Sequence, residues 1–217
     1  MDIKICGLKS ESALAAALAG GASHVGFIFF PKSPRHVEPA HAGLLRQAAS
    51  GRAKAVAVTV DASDESIDAI VGAMAPDMLQ LHGGESPARV AEVKGRYGLP
   101  VMKALSISTA ADLARAEPYV GIADRFLFDA KPPKGSDLPG GNGVSFDWRL
   151  LGGISPEIDY MLSGGLNAGN IGEALRSVEP RGIDVSSGVE NAPGSKDPGL
   201  IRAFFAAIEA ARTSSAA

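Results

Sequence analysis

Cysteine, charge of one sign and long apolar runs are all scarce in this sequence. The 217 residues include a single cysteine, which excludes an internal disulfide framework and suits a reducing compartment. Lys and Arg number 21 against 24 Asp and Glu, so the net charge of -3 provides no basic field for nucleic acid or an anionic membrane. No uncharged apolar segment reaches the length of about 20 residues that spans a bilayer. We expect a cytoplasmic protein that binds neither nucleic acid nor membrane.

Glycine and proline, in contrast, are abundant. The chain has 26 glycines and 14 prolines, and most of them follow apolar runs instead of forming a low-complexity tract. This placement predicts many tight strand-to-helix turns, some of which let a ligand approach the backbone.

Short β-rich runs recur along the chain, at positions 3–6, 25–29, 55–59, 78–82, 100–104, 126–129, 160–163 and 183–186. Segments with helical spacing lie between and after them, at 12–19, 40–49, 66–73, 87–96, 110–116, 168–177 and 200–211. The connection from 131 to 154 differs, because it opens with a Pro/Gly-rich loop and keeps only a short helical stretch near 146–151. Alternating strands and helices predict parallel strands joined by crossovers.

Two α/β architectures fit this pattern, an open doubly wound sheet and a closed barrel. Eight strand–helix units in a chain of this length favour a (β/α)8 TIM barrel. An open dinucleotide-binding sheet would usually place G-x-G-x-x-G after its first strand, where Gly7-Leu8-Lys9 stands instead. No composition shift indicates a second domain, so we predict a single barrel domain over residues 1–217.

The carboxyl ends of the barrel strands are where the active site is expected. Cys6 ends the first run and Asp129 ends the sixth. If the aliphatic and aromatic residues face the helices, alternation points both side chains into the mouth of the barrel. Cys6 is then a base or nucleophile, or else a small buried apolar residue. Asp129 is a general acid beneath the following loop, or else an N-cap or the ion-pair partner of Lys131.

Two glycine-rich turns follow the last two strands. They are Ser163-Gly164-Gly165-Leu166 and Ser186-Ser187-Gly188-Val189. Barrels often bind phosphate at these two loops, because glycines expose backbone N–H groups and a short helix adds its N-terminus. One such turn alone would indicate only a tight bend, whereas the pair predicts a phosphate site.

Three further side chains are candidates for the site. Arg35 lies in a long loop after the second strand and either clamps a carboxylate at two points or is solvated. His82 ends the fourth strand, as a catalyst or as a structural hydrogen-bonding residue. Asp184 either positions other groups or balances the charge of Lys4. The lack of a Cys-x-x-Cys pair or Cys/His cluster argues against a zinc site.

Several runs together resemble the phosphoribosylanthranilate isomerase family. They are Lys-Ile-Cys-Gly at 4–7, Gly-Phe-Ile-Phe at 26–29, Ser-Pro-Arg at 33–35, Leu-Gln-Leu-His-Gly at 79–83, Gly-Gly-Asn-Gly at 140–143, Ser-Gly-Gly-Leu at 163–166 and Asp-Val-Ser-Ser-Gly-Val-Glu at 184–190. The last run is the most specific. Asn142 and Ser163 depart from the threonine and alanine expected there.

The resemblance implies an Amadori rearrangement of N-(5-phosphoribosyl)anthranilate to 1-(2-carboxyphenylamino)-1-deoxyribulose 5-phosphate in tryptophan biosynthesis. It implies that Cys6 is the general base at C2 of the sugar, that Asp129 is the general acid at the ring oxygen, and that Arg35 holds the anthranilate carboxylate. The remaining substrate-binding residues are expected to be His82, Asp184, Gly164, Gly165, Ser187 and Gly188. No cofactor or metal is expected, and a monomer is expected over a dimer.

Three other functions stay open at this point. A related aminoaldose isomerase of the histidine pathway is expected to use a carboxylate where Cys6 stands. A phosphosugar-binding module would tolerate loss of both Cys6 and Asp129. A Schiff-base aldolase would use Lys103.

Overall fold

The structure is a computed structural model that describes residues 1–133, 135–136 and 138–215. Its central feature is a closed barrel of eight parallel strands in chain order, with β8 pairing back to β1. The strands are β1 Asp2–Cys6, β2 His24–Phe29, β3 Lys54–Thr59, β4 Met78–Leu81, β5 Val101–Ile107, β6 Arg125–Ala130, β7 Tyr160–Leu162 and β8 Gly182–Val185. The predicted (β/α)8 barrel is confirmed.

Within the described residues, six α-helices pack outside the barrel: α1 Glu11–Ala19, α2 Pro39–Ala49, α3 Asp64–Met74, α4 Pro87–Tyr97, α5 Ile171–Ser177 and α6 Pro198–Ser215. Local chemistry sets their starts. The side chains of Ser10, Ser63 and Ser86 each accept a hydrogen bond from a backbone N–H in the first turn of α1, α3 and α4. These caps fix where each loop at the barrel mouth gives way to a helix.

Three segments of the part of the chain that the structure describes are 3₁₀-helical, at Ala110–Tyr119, Trp148–Gly153 and Ser187–Val189. The first replaces the α-helix predicted at 110–116, and it contains Pro118, which lacks the N–H that an α-helix interior needs. The helix predicted from 168 starts only at Ile171, because Asn167 and Asn170 first form a hydrogen-bonded turn. A small antiparallel hairpin, β9 Glu190–Ala192 with β10 Ser195–Lys196, was not predicted.

Two separate apolar clusters form the core. The larger lies between the strands and the outer helices. The smaller fills the barrel interior and contains Cys6, Val56, Val58, Met78, Met102, Ala104, Leu127 and Met161. Since side chains alternate along a strand, β1 and β6 turn Cys6 and Asp129 to the same interior that holds Leu127.

The amino-terminal end of the barrel is closed by ion pairs. Arg125 of β6 is buried and donates to Asp2 at 2.6 Å and to Asp159 at 3.0 Å. His24 lies beside them, also buried. The open cavity lies at the opposite end of the barrel.

Among the helices in the part of the chain described, none has the length and apolar character that crossing a membrane requires.

Candidate active site

One cavity opens at the carboxyl ends of the barrel strands. Eight of the nine residues predicted for the site line it: Cys6, Arg35, His82, Asp129, Gly164, Gly165, Asp184 and Ser187. They come from five strand ends and from the loop after β2. Residues as far apart in sequence as Cys6 and Ser187, which are separated by 181 positions, therefore line the same cavity. Gly188 is the exception and does not line the cavity.

Cys6 lies beside a buried ion pair. Lys4, two residues earlier on the same face of β1, is fully buried and donates to Oδ1 of Asp184 at 2.8 Å. The thiol and the Lys4 side chain meet above Gly26, where an added Cβ would lie 2.9 Å from Sγ of Cys6 and 3.2 Å from Cε of Lys4. Ser163 donates to the other carboxylate oxygen of Asp184 at 3.2 Å. The interpretation of Asp184 as the charge partner of Lys4 agrees with this geometry.

The groups around the Cys6 thiol have opposing effects on its pKa. Burial raises the pKa of Cys6, while the ammonium groups of Lys4 and Lys196 lower it and the Asp184 carboxylate raises it; the net result is a raised pKa. Burial lowers the pKa of Lys4, but Asp184 and Cys6 together outweigh it and raise this pKa, so Lys4 keeps its proton. A cationic group in the cavity would lower the pKa of Cys6 and so favour the thiolate.

Asp129 lies opposite His82. Its Oδ1 accepts the backbone N–H of Ala130 at 2.8 Å, and its Oδ2 lies 3.4 Å from Nε2 of His82. Gln80, two residues before His82 and on the same face of β4, bonds Nδ1 of the imidazole at 2.9 Å. Asp129 is thus held by the backbone of β6 and faces His82 just after β4, and it makes no ion pair with Lys131.

The loop after β6 closes over this pair. Gly140 packs so tightly that an added Cβ would lie 2.5 Å from Oδ2 of Asp129 and 2.8 Å from Nε2 of His82. Only a residue without a side chain fits there without displacing the carboxylate. The segment around Gly140 therefore covers the carboxyl group of Asp129, which is buried.

Arg35 is buried, not solvated, and its guanidinium already has protein partners. Nε and Nη2 donate to the two carboxylate oxygens of Glu190, each at 2.8 Å, and Nη2 also donates to the carbonyl of Gly141 at 3.1 Å. Lys196 bonds the same carboxylate. One edge of the Arg35 guanidinium is therefore fixed by Glu190, and an anion bound beside Arg35 would contact another part of the guanidinium.

The two glycine turns have backbone conformations that suit anion binding. Gly164 and Gly165 have φ of +90° and +63°, a region that favours glycine, and their N–H groups donate to no other residue of the described chain. Ser187 begins the 3₁₀ turn on the other side. Gly188 contributes differently: an added Cβ would strike the carbonyl oxygen of Leu166, so its lack of a side chain lets the two turns pack together.

Sequence reasoning assigned no role to several residues that complete the site. Gln80 and Glu190 are the main ones, and Lys196 bonds Glu190. Gln80 had a usable signal, since it shares a strand face with His82. No such strand pattern pointed to Glu190, because its partner Arg35 is 155 positions away in the sequence.

Lys103, the candidate for Schiff-base chemistry, is turned away from the cavity. It lies inside β5, next to the interior residues Met102 and Ala104, and its Nζ is held by Glu85 at 2.7 Å and by the carbonyl of Gly83 at 2.7 Å. This position contradicts the aldolase interpretation. Among the described residues, no group of three or more His, Cys, Asp or Glu side chains is placed to hold a metal ion.

Comparison with known proteins gives one consistent family. Residues 3–207 match the family model described as N-(5'phosphoribosyl)anthranilate (PRA) isomerase. A protein of Mesorhizobium japonicum named N-(5'-phosphoribosyl)anthranilate isomerase is 72% identical over 217 residues, which covers 100% of this chain and 99% of the relative.

Solved structures agree with the sequence relatives. A crystal structure of phosphoribosyl anthranilate isomerase from Thermotoga maritima is similar with a TM-score of 0.86 at 32% identity, covering 97% of this chain and 99% of that one. A second isomerase structure, in complex with reduced 1-(o-carboxyphenylamino)-1-deoxyribulose 5-phosphate, gives a TM-score of 0.84 at 30% identity with the same coverage.

Proposed function

Because the chain belongs to the N-(5'-phosphoribosyl)anthranilate isomerase family, an enzyme family of tryptophan biosynthesis, we propose that Cys6 and Asp129 carry out its Amadori rearrangement. The substrate is N-(5-phosphoribosyl)anthranilate and the product is 1-(2-carboxyphenylamino)-1-deoxyribulose 5-phosphate. Cys6 is the general base and Asp129 is the general acid.

The observation that carries this proposal is the shared cavity of the two groups. Cys6 enters it from β1 and Asp129 from β6, two strands that are not neighbours in the barrel. An acid and a base that approach one sugar from different directions can act at its ring oxygen and at C2 without exchanging places.

The reaction divides between them as follows. Asp129 gives its proton to the furanose ring oxygen while the bond from that oxygen to C1 breaks, and the nitrogen lone pair forms a cationic imine at C1. The positive charge makes the C2 hydrogen acidic, and the Cys6 thiolate removes it. The C–H electrons form the C1–C2 double bond as the imine electrons return to nitrogen, and the enol becomes the ketone by losing its hydroxyl proton and gaining one at C1.

The remaining site residues bind the substrate at its two charged ends. The N–H groups of Gly164 and Gly165, with the turn at Ser187, receive the phosphate. Arg35 receives the anthranilate carboxylate. Anchoring both ends restricts the sugar to a reactive pose between acid and base.

His82 and Asp184 act next to the reacting groups in this proposal. His82 faces the Asp129 carboxylate, and Asp184 holds the Lys4 ammonium beside Cys6. Gly188 supports the phosphate turn through its packing on Leu166.

The test is an assay with the purified chain and a chelator. The fluorescence of the anthranilate conjugate should fall as it is converted. Cys6→Ser and Asp129→Asn should each slow turnover by at least ~100-fold, the scale of positioned acid–base groups. Full activity of the Cys6→Ser variant would remove the thiol from the mechanism, and turnover of the histidine-pathway aminoaldose alone would favour that related isomerase.

A cytoplasmic monomer stays part of the proposal. The exposed large apolar residues of the described chain are Met1, Leu44, Val120, Val144 and Leu200. They come from different elements, which supports a chain without a large apolar interface. Light scattering after size exclusion should give the mass of one chain; the mass of two would overturn the monomer.

A further inference from the structure

The carboxylate of Glu190 holds one whole edge of the Arg35 guanidinium. Its two oxygens accept from Nε and from Nη2, each at 2.8 Å, which is the bidentate arrangement that fixes a guanidinium in direction as well as in position. The side chains of Arg35 and Glu190 are only 5% and 4% exposed, so water competes little for this pair.

Packing of the β9–β10 hairpin explains how Glu190 reaches Arg35. Glu190 begins β9, and the hairpin turn brings Gly194, at φ +77°, against the backbone of Pro34. An added Cβ at Gly194 would collide with the Pro34 carbonyl. The hairpin therefore packs directly against the loop that carries Arg35. A change in the position of the hairpin would shift this loop, and a change in the loop would shift the hairpin.

Lys196 completes the cluster from the second strand of the hairpin. Its Nζ bonds Glu190 and also the carbonyl of Ser186 at 3.2 Å, next to the predicted phosphate turn. Burial alone would raise the pKa of Glu190, but the hydrogen bond from Arg35 and the charge of Lys196 outweigh it and hold the pKa low. Burial lowers the pKa of Lys196 despite the attraction of Glu190.

This arrangement leaves one part of Arg35 for a ligand. Nε is used by Glu190, and Nη2 is used by Glu190 and Gly141. Among the residues that the structure describes, Nη1 has no hydrogen-bond acceptor, and Arg35 lines the cavity. With both hydrogens of Nη1 free, the guanidinium presents a defined edge to an incoming anion.

We propose that Glu190 is a positioning residue that, through its bidentate pair with Arg35, aims the free edge of the guanidinium at the substrate carboxylate and so sets the preference for a carboxylate there. The inference rests on the proposed function. It differs from that function because Glu190 has no part in the acid–base steps and acts on the substrate carboxylate through Arg35.

The experiment compares wild type with Glu190→Gln, which has the same shape, and with Glu190→Asp, which keeps the charge. Each is assayed with the phosphoribosyl conjugates of anthranilate and of 2-aminobenzamide, whose carboxamide carries no negative charge. In Glu190→Gln the KM for the anthranilate conjugate should rise about tenfold, the effect of roughly 1.4 kcal/mol of lost binding, with kcat within about threefold of wild type. The preference for the carboxylate substrate, as a ratio of kcat/KM, should fall by a similar factor.

The other arms separate this role from a purely structural one. Glu190→Asp should recover part of the preference, because it restores a charged partner for Arg35. Glu65→Gln, at an exposed position of α3, should match wild type in every measurement. An unchanged preference in Glu190→Gln, or equal loss of kcat/KM with both conjugates, would overturn the positioning role. Failure of wild type to convert the anthranilate conjugate would instead overturn the proposed function.

Discussion

Nζ of Lys4 lies 2.8 Å from Oδ1 of Asp184, and this ion pair is buried at the edge of the cavity beside Cys6. The carboxylate holds the ammonium in place but also opposes ionisation of the thiol, because it raises the pKa of Cys6 while Lys4 lowers it. Asp184 thus limits how far the Lys4 charge lowers the pKa of the Cys6 thiol.

Replacing Asp184 with Asn should therefore make Cys6 more reactive. Without the carboxylate, one charge that raises the pKa of Cys6 is removed, and the thiolate becomes the anionic partner left to the buried Lys4 ammonium. The pKa of Cys6 therefore falls, and the thiolate fraction at neutral pH rises. Alkylation by iodoacetamide should be several-fold faster than in wild type at pH 7. The measurement is specific because the chain has one cysteine. An equal or slower rate would mean that Asp184 does not control the thiol.

Acidification should destabilise the fold through His24 at the floor of the barrel. Burial lowers the pKa of His24 from 6.5 to about 4, with the charges of Arg125, Lys4 and Lys54 adding to the effect and Asp2 opposing it. Between those two values the unfolded chain binds a proton that the folded chain does not, so stability falls as the pH falls. Between pH 7 and pH 5 this contribution is about 2 kcal/mol.

Urea unfolding at the two pH values measures this loss. His24→Asn should lose less stability than wild type on acidification, since it cannot take up the proton. His41→Asn is the matched control, because His41 is exposed on α2 and its replacement should leave the pH dependence as in wild type. Equal acid sensitivity of wild type and His24→Asn would contradict the assignment.

The strand pattern was enough to predict the barrel and the direction of the two side chains proposed to be catalytic. The strand-end positions of Cys6 and Asp129, together with the period of two, predicted that both face the interior, where the structure has them. The helical pattern was less informative near residue 110. The alanine-rich segment predicts an α-helix there, whereas Pro118 favours the 3₁₀ helix that the structure has.

The partner of Arg35 could not be predicted from the sequence. Residues 190–196 contain short polar strands that lack an apolar face, so no alternation reveals the hairpin. The contact with Arg35 depends on how this hairpin packs on Pro34, a tertiary relationship between segments far apart in the chain. The same holds for the ion pair between Lys103 and Glu85, which only the course of the loop after β4 brings together.

Lys103→Met should destabilise the protein without a specific defect in chemistry. The Lys103–Glu85 pair is 1% and 5% exposed, so removing the cation leaves a buried carboxylate unpaired, at a cost of about 3–5 kcal/mol. Glu85 also accepts the backbone N–H groups of Gly83 and Asp61, which keeps it from moving to water. Urea unfolding measures the loss.

A second variant separates charge from packing at this site. Lys103→Met combined with Glu85→Gln should recover part of the lost stability, because no buried charge then remains. If the double variant is less stable than Lys103→Met alone, the unpaired carboxylate is not the cause. Borohydride with substrate should leave no adduct on Lys103 in wild type.

Gly26→Ala should impair turnover more than folding. The added methyl group would lie 2.9 Å from Sγ of Cys6 and 3.2 Å from Cε of Lys4, so both side chains must shift from the positions they hold at the cavity edge. A displacement of this kind lowers turnover about 10- to 100-fold when it moves a reacting group.

Gly72→Ala is the matched control. Gly72 lies inside α3 with open space where its Cβ would be, and the substitution should stabilise the protein by roughly 0.5–1 kcal/mol with activity unchanged. Steady-state kinetics and urea unfolding of the two variants decide the matter, and wild-type turnover by Gly26→Ala would show that the reaction does not depend on where the thiol sits above β2.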